Sequence, residues 1–219
     1  MLLLLLASLL ALTPPMSDPA SERAFLAFSQ QVQARYAARD ADGLRALCTA
    51  PPTGDAEWLC RYRLYPLTQD ESLLEQLPAD AEIGASARAL ALQAGLWGYK
   101  AVGASVFSLP TIGRRAERLL SAAHDRDDKD PYVLLVEGQS LFYKPSIVGG
   151  DKRAALKRFQ QLRRVVERTP NAGISRIEAD VWVWYARHTT ESDRAEAERT
   201  RLLAQNPPPL FRAFLLSPP

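Results

Sequence analysis

Three segments of this chain repeat one another, and that repetition constrains the fold more than any other feature. Leu90–Ala101 (LALQAGLWGYKA) is followed by Leu109–Ala123 (LPTIGRRAERLLSAA) and a charged turn ending in Asp130-Pro131. Val133–Lys144 (VLLVEGQSLFYK) is followed by Pro145–Leu162 (PSIVGGDKRAALKRFQQL) and closes near Pro170. Glu178–His188 (EADVWVWYARH) is followed by Thr189–Pro207 (TTESDRAEAERTRLLAQNP). Each reads as a helix, a loop, a second helix and a proline, and no stretch alternates with period two for long. A lone helical hairpin cannot bury its apolar face, so repeated hairpins have to stack. The expected fold class is all-α.

The pattern resembles a degenerate tetratricopeptide array, whose repeat of about 34 residues carries a Gly in its first helix and A-x3-F followed by Pro in its second. The middle unit has Gly138, Ala155-x3-Phe159 and Pro170. The first has Gly95, Ala116 with Leu120 in the Phe position, and Pro131; the last has Ala195 and Pro207, with Val183 in place of Gly. The resemblance covers residues 85–207 and implies an α-α superhelix of stacked hairpins. In such arrays the first helices line a concave groove that takes an extended peptide or a partner helix. Carried over to this chain, the groove-facing positions are Leu96, Tyr99 and Lys100, then Gln139, Phe142 and Tyr143, then Trp184, Arg187 and His188. The opposing reading makes those aromatics core, filling space between hairpins as expected of Trp97 and Trp182.

Residues 18–84 read as further helical hairpins. Asp18-Pro19 is a helix start, with Phe25, Phe28, Val32 and Tyr36 following at helical spacing. RDADG (Arg39–Gly43) turns the chain, Leu44, Leu47 and Cys48 mark a second short helix, and APPTGD breaks it. Trp58, Leu59, Tyr62 and Tyr65 share a face of the next. Thr68-x-x-Glu71 has the form of a capping box for a helix holding Leu73, Leu74 and Leu77. At the other end, Pro207 to Pro209 cannot continue a helix. The tail, residues 208–219, carries Phe211, Phe214, Leu215 and Leu216 and is expected to fold back as a cap on the last hairpin.

MLLLLLASLLAL opens the chain. A run of about twelve apolar residues is too short to span a bilayer, which takes roughly 20, and suits the apolar core of a signal peptide over residues 1–17. The expectation is export to a periplasmic or secreted location, with no transmembrane span in the mature chain. In an oxidising compartment Cys48 and Cys60 are disulfide candidates; two buried thiols on separate helices remain the alternative. The net charge of +2 is too small for a nucleic-acid partner.

YKPSIVGGDKRAALKRF (Tyr143–Phe159) looks like a phosphate loop, yet G-x-x-x-x-G-K-[ST] is missing and no strand precedes it. Asp151 would repel a phosphate and suits a helix N-cap, while Gly149 and Gly150 allow positive φ. Pro110-x-Ile112-Gly113 shares the layout of Pro145-x-Ile147-Val148-Gly149, so both loops are read as structural joints. Arg153, Lys157, Arg164 and Arg168, with Glu167 as the only acid in the run, form a solvated basic face. His124 and His188 stand isolated, Glu178 and Asp180 fall on different helix faces, and no hydrolase motif occurs. No catalytic residue, cofactor or metal site is expected. The chain reads as an exported protein that binds a peptide or partner protein. The alternatives are a small apolar or anionic ligand, as in a transporter accessory protein, and a metal-free hydrolase.

Overall fold

Local capping chemistry places the helices. The computed structural model describes residues 18–169, 172–190 and 192–218; residues 1–17, where a leader is expected, and Pro170 lie outside them. Among the described residues every regular element is helical. Asp18 accepts a hydrogen bond from the Ala20 amide at 3.1 Å and starts α1 (Pro19–Ala37). Asp40 accepts from the Gly43 amide at 2.9 Å and starts α2 (Ala41–Leu47), so RDADG is helical from its third residue and the turn is confined to Ala38 and Arg39. Thr53 caps α3 (Gly54–Thr68), and Cys48 and Cys60 are joined as a disulfide, S–S 2.01 Å, between α2 and α3.

One expected helix is absent. Thr68 ends α3, its hydroxyl donating to the Leu64 carbonyl, and Asp70 instead caps a short 3-10 turn over Glu71–Leu74. The capping-box reading fails because Gln69 takes a left-handed conformation (φ 55) that closes α3 between the two supposed cap partners. An irregular stretch then leads to Ser86, which caps α4.

The three repeated segments form hairpins: α4 (Ala87–Val102) with α5 (Leu109–Arg126), α6 (Pro131–Tyr143) with α7 (Lys152–Arg168), and α8 (Arg176–His188) with α9 (Ser192–Ala204). Gly138 has a packing reason. A Cβ there would sit 2.4 Å from the Phe159 ring, so its absence lets α6 and α7 approach. The two glycine-proline loops differ, contrary to their similar sequences. Leu109–Gly113 is the first turn of α5, with Pro110 where a missing N–H costs nothing, and Ile112 is buried. Ile147, in contrast, lies 92% exposed in a 3-10 turn over Ser146–Val148. Gly149 (φ 92) ends that turn, and a Cβ on Gly150 would lie 1.9 Å from the Lys144 carbonyl oxygen.

The first helices run side by side in one direction. Ser86, before α4, donates to Asp55 at the start of α3 at 2.8 Å, and Arg88 pairs with Asp130 at the cap of α6 at 3.3 Å. Further along, Tyr62 stacks on Tyr99 at 5.3 Å and donates to Gln139 at 2.5 Å. Tyr132 donates to the Gly173 carbonyl just before α8, and Phe142 meets Tyr185 later in α8 at 4.7 Å. Helices α4, α6 and α8 are buried over most of their circumference, whereas α5 and α7 keep a polar face, as inner and outer layers require. Helix α1 joins the inner layer through Glu22–Arg88 at 3.0 Å and Gln33–Glu178 at 2.8 Å.

The tail forms α10 (Pro209–Leu216), packed on α1, α8 and α9. Phe211 and Leu215 are buried, and Phe214 sets its edge to Tyr185 at 4.9 Å. Leu216 is 57% exposed, so it takes no part in the expected cap.

Candidate functional site

The inner helices converge on a polar centre. On α3, helical periodicity turns Tyr62 and Tyr65 toward α4 and leaves Arg63 aimed between α1 and α8. Its guanidinium makes a two-pronged bond to Glu178 of α8, 2.7 and 3.1 Å, with both side chains 2% exposed. Gln33 of α1 donates to Glu178 at 2.8 Å and to Ser175 at 3.1 Å. The guanidinium also lies over the Tyr36 ring at 4.5 Å. Arg63 Nε and Gln33 Oε1 make no hydrogen bond although both are buried. Burial acts to lower the Arg63 pKa, but Glu178 and the surrounding phenols raise it on balance, so the guanidinium stays charged.

Tyrosines surround this pair. Tyr62 stacks on Tyr99, and Tyr99 stacks in turn on Tyr65 at 5.1 Å. Tyr65 donates to Glu71, and the hydroxyls of Tyr143 and Tyr185 interact. Burial pushes Tyr36, Tyr62, Tyr99 and Tyr132 above the ordinary phenol value. These phenols are neutral at physiological pH, suited to donating hydrogen bonds and stacking rather than to acting as bases.

The nine groove positions separate into three groups. Leu96, Phe142 and Trp184 are buried and belong to the core; Trp184 donates to the Ala195 carbonyl at 3.0 Å inside its own hairpin. They are core because the inner face is filled by neighbouring helices instead of opening to solvent. Lys100, Arg187 and His188 point elsewhere: Lys100 to the Leu74 carbonyl at 3.2 Å, Arg187 to Glu198 at 2.6 Å, and His188 onto the Trp184 ring at 5.5 Å. Tyr99 and Gln139 are brought together. Tyr62 contacts both, and Tyr143 follows Gln139 by one helical turn with 54% of its surface exposed. Arg63 and Tyr62 had no sequence signal as site residues, since their partners lie far along the chain.

A second polar cluster lies between α5, α6 and α7. His124 is not isolated: its Nδ1 is 2.7 Å from Glu137 Oε1, and Arg158 Nε is 2.9 Å from Glu137 Oε2. An open cleft of about 340 Å³ beside them is lined by Ser121, Ser140, Lys144 and Glu117. Glu178 and Asp180 do face apart, the latter lying 3.8 Å from Arg163 and 3.7 Å from Arg176. Asp151 caps α7, accepting from the Arg153 and Ala154 amides at 2.8 and 3.0 Å, which puts its carboxylate where a phosphate would have to bind. Arg153, Lys157, Arg164 and Arg168 are solvent-exposed. Among the described residues no group of three or more His, Cys, Asp or Glu is placed to hold a metal, and no helix is long and apolar enough to cross a membrane. In comparisons with known proteins, the chain matches no family model, no curated protein and no solved structure.

Proposed function

We propose that this chain is an exported, non-enzymatic helical-repeat protein of tetratricopeptide-like plan, which receives a peptide segment of a partner protein on its tyrosine-bearing inner rim. The carrying observation is the meeting of Tyr99 and Gln139, from two successive first helices, at Tyr62, with the exposed Tyr143 one helical turn beyond Gln139. Neutral phenols and a primary amide offer π-faces, donors and an acceptor, which is the chemistry that reads an extended polypeptide backbone. The Cys48–Cys60 disulfide supports the exported location, because such bonds persist in oxidising compartments. A photo-crosslinking residue placed at Tyr143 in the native cell tests the reading. It should capture one discrete partner that Gln139→Ala weakens. Crosslinks no more specific than those from an exposed control position such as Lys157 would defeat it.

The His124–Glu137 pair favours a second reading, hydrolysis, with Glu137 orienting the imidazole as a general base in the cleft. Turnover of model esters by the wild-type chain, abolished by His124→Ala without loss of fold, would select it over the binding reading.

A further inference from the structure

Apart from Ile83 before α4 and Leu216 in the tail, the large apolar side chains left exposed are concentrated at one edge. Val102 at the end of α4 and Val106 and Phe107 in the connection after it are 88, 73 and 91% exposed, and Tyr143 at the end of α6 and Ile147 and Val148 in the connection after it are 54, 92 and 57% exposed. The two connections lie at the same end of the molecule. Helices α4 and α6 run in one direction, Tyr62 touches both near their C-terminal ends, and Lys144 crosses from the second connection to Glu117 in the middle of α5 at 2.7 Å.

The charge around this edge is predominantly positive. No acidic residue occurs between Ile83 and Ala116, nor between Gly138 and Gly150. The flanking charges are Arg114, Arg115, Lys144, Lys152 and Arg153, against Asp151, whose carboxylate is engaged as the α7 cap, and the paired Glu117. Arg114, Lys152 and Arg153 are exposed and make no ion pair among the described residues.

We propose that this edge docks on an anionic lipid bilayer, with Phe107 and Ile147 entering the headgroup region and the cations meeting lipid phosphates. Apolar side chains exposed to this degree protrude from the surface and form no pocket. A protein partner would need a matching concavity, whereas a fluid bilayer accepts a protruding side chain without one. Basic groups beside the inserted residues add electrostatic attraction to the negatively charged surface. Chain position separates this edge from the start of α1. Helix α1 starts beside Arg88, near the opposite end of α4, roughly 20 Å from Val102 at 1.5 Å per residue.

Hydrogen exchange of the full chain with and without vesicles tests the proposal, using phosphatidylcholine alone or mixed with phosphatidylglycerol. Residues 102–109 and 143–150 should gain protection with the mixed vesicles only. Phe107→Ser combined with Ile147→Ser should weaken co-sedimentation with those vesicles by about tenfold or more, with the melting curve unchanged. Binding that the double variant retains would show that another segment, such as the leader, attaches the chain, and would overturn the proposal. Protection of the same loops without vesicles that grows with protein concentration would assign the edge to a second copy and overturn it equally.

Discussion

Replacing Glu178 by Ala strikes the buried ion pair that ties α3 to α8. Both partners are 2% exposed, so Arg63 cannot regain water when its carboxylate is removed. Breaking a buried pair from one side costs roughly 3–5 kcal/mol, because the remaining charge is left uncompensated. The Gln33 amide also loses its 2.8 Å acceptor, while Ser175 at 3.1 Å remains to it. A loss of about 4 kcal/mol is therefore expected, out of the 5–15 kcal/mol typical of whole proteins. Urea unfolding followed by circular dichroism reads it directly. With a slope of about 2–3 kcal/mol per molar, the midpoint should fall by roughly 1–2 M. The double variant Arg63→Met with Glu178→Leu is the decisive comparison. It removes both charges, and apolar replacements of this kind are often neutral, so it should recover most of the loss. A Glu178→Ala cost below about 1 kcal/mol, or a double variant no better than the single, would refute the view that an uncompensated buried charge governs the effect.

Gly138→Ala should destabilise by about 1–3 kcal/mol despite the better helix propensity of Ala, because its Cβ meets the Phe159 ring at 2.4 Å; adding Phe159→Leu should restore part of the loss in thermal melts. Reducing the Cys48–Cys60 bond, whose sequence separation is 12, should cost about 3 kcal/mol of stability, and labelling without reductant should find no free thiol. Truncation after Asn206 should lower the melting temperature sharply and promote self-association, since Phe211 and Leu215 each contribute roughly 1.5–3 kcal/mol by burial; an unchanged melt would show that α10 is a docking tail. Backbone hydrogen bonds from Ala154 and Arg153 hold the Asp151 carboxyl below its usual range. Its capping contribution is then present above the unfolded carboxylate value of about 3.9 and is lost as pH falls through the lower folded value. The Asp151→Ala variant should accordingly be less stable than wild type at pH 7 and match it in strong acid.

The sequence by itself determined what depends on near neighbours. Asp18-Pro19 and Asp151 start helices where short-range capping chemistry puts them, and the apolar spacing of the repeated segments sets the three hairpins. Gly138 and the Ala155-x3-Phe159 pattern were legible for the same reason, being two sides of one close approach within a hairpin. Even at this range a competing local choice can win, as where left-handed Gln69 ends α3 ahead of the supposed capping box. Only the tertiary structure decided the inner face. Gln33, Arg63 and Glu178 come from three helices, with Arg63 and Glu178 separated by 115 positions, and nothing in their local sequence names a partner at that distance. His124 looked isolated for the same reason, its Glu137 lying on the next helix. The carried-over groove positions failed where burial depends on what stands opposite. Leu96, Phe142 and Trp184 lie on the expected helices, but neighbouring helices fill the space in front of them. Helical spacing says which residues share a face; long-range packing says whether that face meets water or another helix.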